Sequence, residues 1–203
     1  MCRDVKEVRG VVPPAAMAVG KVEVEFVNRP AAAPKLPFVG GSIYPSNTGQ
    51  LEWVTWQGKD TGYFTVDTPG TQGVVGHVPP RGVGLKDVTM DIETPFAFSV
   101  LTALGPKESL RTAKSALLTV VARVHNSGMK YSADGKRLEA VGTAPLLCEP
   151  VVGTVRVLRR PVREVRVLDH DGRRTGRTVP VTNGTFTIDG RRDKAIYYEV
   201  VFG

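Results

Sequence analysis

The chain has 203 residues, 41% of them hydrophobic and 23% charged, with a formal net charge of +7. It is long enough to bury a substantial core, and no stretch approaches the eighteen uninterrupted apolar residues of a transmembrane helix. Two cysteines, Cys2 and Cys148, are too few for a disulfide framework or a thiolate metal site.

In chain order, the opening "MCRDVKEVRGVV" lacks the apolar core of a signal peptide. The alternating "KVEVEFVN" (21–28) predicts a strand, and the Ala/Pro-rich "RPAAAPKLPFVGG" (29–41) an extended connector. Next comes "SNTGQLEWVTWQGKDTGYFTVDTPGTQGVVG" (46–76), which holds both tryptophans, Trp53 and Trp56, between glycine-marked turns. On a regular strand these two side chains point to opposite faces, so they cannot form one flat sugar platform.

Further strands are predicted at 62–68, 87–94, 154–158, 164–169, 184–190 and 195–202, each alternating or rich in β-branched and aromatic residues. Asn183-Gly184 in "VTNGTF" predicts a type I′ hairpin turn. Only 106–124 admits a helical turn or two. The apolar run "APLLCEP" predicts a buried thiol for Cys148. The fold class is therefore all-β: antiparallel sandwich layers forming two packed sub-domains with little or no helix. The expected divisions are 1–41 (strand and connector), 42–160 (main β-sandwich) and 161–203 (a small closing sheet with strands at 163–168, 177–182, 185–189 and 195–202).

The positive charge is uneven. Residues 1–150 carry 16 Lys and Arg against 14 Asp and Glu, and residues 151–203 carry 11 against 6. In "TVRVLRRPVREVRVLD" the arginines alternate with valines, which reads as the solvated face of a strand rather than a nucleic-acid surface.

No catalytic constellation emerges. His77, His125 and His170 are dispersed, and no nucleophile elbow, phosphate loop or metal spacing occurs, so no cofactor or metal is expected. Asp67, Asp91, Glu93, Glu139 and Glu149 are the carboxylates weighed as a glycosidase pair, and each has an ordinary turn, edge or strand-start role. The aromatic candidates for a carbohydrate surface are Tyr44, Trp53, Trp56 and Tyr63.

Several strings carry a resemblance: "NTGQLEW", "FTVDTPGTQGVVG", "DIETPFAFSVLTALGPKESLRTAKSALLTVVARVHNSGMKY", "GTAPLLCEPVVGTVRV" and "VREVRVLDHDGRRTGRTVPVTNGTFTIDGRRDKAIYYEVVF". Together they resemble the β-rich C-terminal region of large multidomain glycoside hydrolases, where that region follows a catalytic (β/α)8 barrel. The likeness runs from about residue 42 to the C-terminus. It implies an accessory β-sandwich domain or subunit in polysaccharide degradation, inactive alone, that braces the barrel and contributes a loop near the polysaccharide cleft, with export as the expected setting. The acid/base and nucleophile glutamates belong to the barrel, so none is carried over. Three alternatives stay open: an autonomous carbohydrate-binding module, a basic polyanion-binding protein, and a free-standing hydrolase built on a convergent carboxylate pair.

Overall fold

The computed structural model describes residues 16–21, 42–55 and 62–203. The predicted strand at 21–28 (beyond Lys21), the connector 29–41 and Trp56 lie outside the described residues. The elements are α1 (Ala16–Val19), β1 (Ile43–Pro45), β2 (Leu51–Thr55), β3 (Gly62–Asp67), β4 (Thr71–His77), β5 (Val83–Gly84), β6 (Val88–Ile92), β7 (Phe96–Ala103) and β8 (Ser115–Val121). They continue with β9 (Val124–Ser127), β10 (Lys130–Tyr131), β11 (Leu138–Ala140), β12 (Thr143–Cys148), β13 (Val152–Val157), β14 (Val162–Leu168), β15 (Arg174–Val179), β16 (Thr185–Asp189), α2 (Gly190–Asp193) and β17 (Tyr197–Phe202).

The chain is all-β. Among the described residues, nine strands form one antiparallel sheet in the order β1-β2-β3-β4-β7-β8-β17-β14-β15, and four form a second in the order β16-β13-β6-β5. Alternation decides which side chains meet between them. From the large sheet come Val74, Ala97, Leu101, Leu118, Val120, Tyr198 and Val200; from the small sheet come Val88, Met90, Ile92, Val155, Phe186 and Ile188. Every one of these is buried, so the two sheets pack face to face as a sandwich.

The predicted strands at 62–68, 87–94, 154–158, 164–169, 184–190 and 195–202 appear as β3, β6, β13, β14, β16 and β17. Asn183 and Gly184 have φ of 50° and 74°, the left-handed pair that a type I′ turn needs. In 106–124 the Val- and Thr-rich second half, which limited the expected helix to a turn or two, is β8, where β-branched and aliphatic residues alternate between the core (Ala116, Leu118, Val120) and the outer face.

The closing segment also differs from a separate sheet. β14, β15 and β17 extend the large sheet, whereas β16 pairs with β13 in the small one. The chain crosses between layers on both sides of β16, so residues 161–203 complete both sheets at once.

α2 is a single turn between β16 and β17. Asp189 caps it by accepting from the Arg191 backbone N–H, and Lys194 closes it in the left-handed conformation. The Tyr198 hydroxyl donates to Asp193 Oδ2 at 3.0 Å. Burial and then the Asp193 charge push the Tyr198 phenol upward, so it stays a donor. For Asp193 itself, burial pushes up but hydrogen bonds from Arg192 and Tyr198 outweigh it, and the carboxyl is lowered. Hydrogen bonding from Arg191 pulls Asp189 down to about 2.

These shifts fix the sign of an acid response. A carboxylate depressed by folding contributes stability that is complete above the unfolded value, near about 4, and disappears as pH falls through the folded one. The urea midpoint is therefore expected to be flat from neutral pH to about 5 and to fall between about pH 4 and 2. Asp193→Asn is expected to flatten that limb; an equally steep fall in the variant would show that other groups govern it.

Candidate functional site

The two faces of the large sheet are unequal, because only one is covered by the small sheet. On the uncovered face, cross-strand register lines up Tyr44, Trp53, Phe64, Val75, Phe98 and Val121 across six strands. Trp53 lies between two aromatic neighbours. Its ring centroid is 5.2 Å from Tyr44 at 30° and 5.7 Å from Phe64 at 6°. Parallel rings at that separation are offset stacks, since two rings side by side in one plane would clash. Both faces of the Trp53 indole are thus covered by protein, and the row presents ring edges outward.

Phe64, Phe96 and Phe98 remain exposed on this face. His77 meets the Phe96 ring edge-on at 5.1 Å, and the Arg123 guanidinium lies 6.0 Å from the same ring centroid. Trp53→Ala is expected to destabilise by about 1–2 kcal/mol, the loss of a half-buried indole and two ring contacts. Urea denaturation measures it, and a loss above about 4 kcal/mol would mark Trp53 as core.

Of the four aromatics expected to mark a carbohydrate surface, the structure brings Tyr44 and Trp53 together. Tyr63 pairs with Val54 and Gly76 one position out of phase with the row and faces the opposite side, packed on the edge of the core. Phe64, absent from the sequence-based set, takes the place beside Trp53. The signal for it is the alternation of "GYFTVD" read in register with "LEWVT".

Beyond Arg123 the chain leaves the sandwich as a ribbon. β9 pairs with β12, β10 pairs with β11, and neither pair joins either large layer. Its apolar side chains are uncovered: Val124, Tyr131, Leu138, Val141, Leu146 and Leu147 are all exposed, Leu146 to 68%. All six residues of β12 are exposed, although the strand reads "TAPLLC". The expectation of a buried Cys148 is corrected here. The thiol is exposed because Cys148 pairs with Val124 at the base of the ribbon, where no second layer covers the strand. The core cluster contains no residue between Ala122 and Val151.

None of the protein-family models, curated proteins or solved structures matches this chain.

Apart from Asp91 and Glu93, two residues apart at the end of β6, the remaining sequence candidates are scattered. Asp91 and Glu93 are exposed, Asp91 on the outer face of the small sheet opposite Thr154. Glu139 lies on the ribbon 3.7 Å from Arg137, and Glu149 is half-buried at the ribbon's base. Asp67 faces inward under the first edge of the large sheet. His77 ends β4, His125 sits on the ribbon, and His170 occupies the turn after β14.

Several arginines of the basic C-terminal stretch are committed to acidic partners. Glu199 takes Arg174 at 2.7 and 2.8 Å and Arg166 at 3.4 Å, and Arg166 also meets Glu164. The Arg174 hydrogen bonds hold the Glu199 carboxyl below its ordinary value. Arg173 pairs with Asp171, and Arg159 reaches Asp87 at the other end of the sandwich. The uncovered face is therefore divided, ion-paired over β17, β14 and β15 and largely apolar over β1–β4 and β7.

Proposed function

We propose that this chain is a non-catalytic β-sandwich accessory module of a polysaccharide-degrading glycoside hydrolase that packs against a (β/α)8 catalytic barrel. The observation that carries this reading is the ribbon of β9–β12, whose apolar residues are exposed and whose base, at Arg123, lies over Phe96 of the uncovered face. A two-stranded ribbon is marginal in water unless something packs on it, and contiguous exposed apolar surface marks an interaction site. The resemblance from residue 42 onward supplies the kind of partner. Asp91 and Glu93 share a solvated strand end, and Asp67, Glu139 and Glu149 sit on other surfaces, which supports a role without chemistry of its own. Trp53, held between Tyr44 and Phe64, is better suited to bracing the sheet than to stacking on a glycan.

The test uses the purified chain against a panel of soluble polysaccharides. Reducing-end release and affinity electrophoresis are both expected to be negative. Co-purification from the source cells is expected to recover a polypeptide whose sequence encodes a (β/α)8 hydrolase, and Leu146→Asp with Leu147→Asp is expected to abolish the recovery. Cleavage of a polysaccharide by the chain alone overturns the proposal in favour of a free-standing hydrolase. Saturable retention by one glycan that is lost with Trp53→Ala overturns it in favour of an autonomous binding module.

A further inference from the structure

The covered face of the large sheet changes character toward its first edge. Over β7, β8 and β17 the inward positions are Ala97, Leu101, Leu118, Val120, Tyr198 and Val200, sealed by the small sheet. On β2 and β3 the same face carries Glu52, Tyr63, Thr65 and Asp67. There the small sheet ends at β5, only two residues long, and the segment Gly82–Leu85 faces these side chains across a cavity of about 310 Å³. That volume is at the lower end of small-ligand pockets and too large for a lone ion. Inward polar groups facing a gap are the makings of a binding cavity rather than of a core.

Two further observations describe what fits. Asp67 lines the cavity; its Oδ1 is turned away from the opening, sealed from solvent and without a hydrogen-bond partner, so the accessible carboxylate oxygen is Oδ2. Among the described residues no Lys, Arg or His lines the cavity, and neither Glu52 nor Asp67 enters an ion pair. Anions are thereby disfavoured, and the walls call for donors. Burial, reinforced by the Glu52 charge, raises the Tyr63 phenol, so its hydroxyl keeps a proton to give. Hydroxyl groups both donate and accept, which matches two carboxylates beside a phenol and a threonine; an ammonium only donates.

We propose that this cavity binds a neutral polyol of monosaccharide size, with Asp67 and Glu52 accepting from its hydroxyls and Tyr63 and Thr65 completing the set. The site is independent of the docking reading, since it opens on the opposite face of the sheet from the Trp53 row. The test is isothermal titration of the intact chain with glucose, galactose and mannose, with glucosamine and calcium chloride as controls and thermal melting in parallel. At least one neutral sugar is expected to give saturable heat and raise Tm. Asp67→Asn and Glu52→Gln, made separately so that one misfolding variant does not end the test, are each expected to weaken binding roughly tenfold or more. Silence from every neutral sugar overturns the proposal, as does binding unchanged in both variants. A response to calcium or glucosamine alone overturns it too. If Asp67→Asn raises Tm while no sugar binds, Asp67 is an orphaned carboxylate that only lowers stability, and the proposal falls.

Discussion

Replacing Asp87 by alanine is expected to cost about 2–3 kcal/mol and to lower Tm by roughly 5–10 °C. Asp87 leads into β6, and its carboxylate is almost completely buried against β4. It accepts from Gln72 Nε2 at 3.0 Å and from Arg111 Nε at 2.7 Å, with Arg159 Nε at 3.3 Å. Its own backbone N–H donates to Gln72 Oε1 at 2.9 Å. Gln72 is fully buried, so losing the carboxylate leaves one Nε2 hydrogen without a partner, while Thr68 O at 3.4 Å and the backbone N–H of residue 87 keep their bonds to the amide. The two arginines are more than half exposed and return to solvent cheaply, so Arg111→Ala and Arg159→Ala are each expected to lose under about 1 kcal/mol. Urea denaturation of the three variants separates these cases. An Asp87→Ala loss no larger than the arginine losses would show that the pin between the layers is not Gln72–Asp87.

Removing the ribbon altogether is expected to leave the sandwich folded. Val124 and Cys148 are cross-strand partners, so deleting 125–147 and inserting Asn-Gly joins them by a two-residue turn. The core cluster draws nothing from the deleted stretch, and a shorter loop lowers the closure entropy slightly. Cooperative melting within about 1 kcal/mol of the parent is expected, together with weaker binding of apolar dyes and, on the proposed docking role, loss of partner recovery. A non-cooperative melt after deletion would make the ribbon part of the core and would remove the main support for a docking role.

The contrast between these two variants shows where sequence reading reached and where it stopped. Alternation in "GYFTVD", "DVTMDIE" and "EVRVLD" was enough to place strands, because a period of two needs only local residues. The same alternation does not say which layer a strand joins. β16 and β17 read alike, yet one extends the small sheet and the other the large. Nor does apolar composition reveal whether a covering layer exists. "APLLC" reads as core, and its exposure follows from the absence of a second sheet over the ribbon.

Register made the finer decisions at the candidate sites. Tyr63 and Phe64 are adjacent, and a one-residue slip of β3 against β2 would exchange them. In the observed register Phe64 stacks on Trp53 and Tyr63 turns to the cavity. That register also brings Glu52 and Asp67, fifteen positions apart in the chain, under the same edge.

By itself, then, the sequence determined an all-β chain: its strand spacing and its Asn-Gly turn follow from neighbours within a few residues. The tertiary structure alone decided, among the described residues, the split into nine and four strands, the unsealed cavity under the first edge and the uncovered ribbon. Those depend on which strands pair and which faces are left without a layer, and such pairings are set by long-range burial that no local pattern encodes.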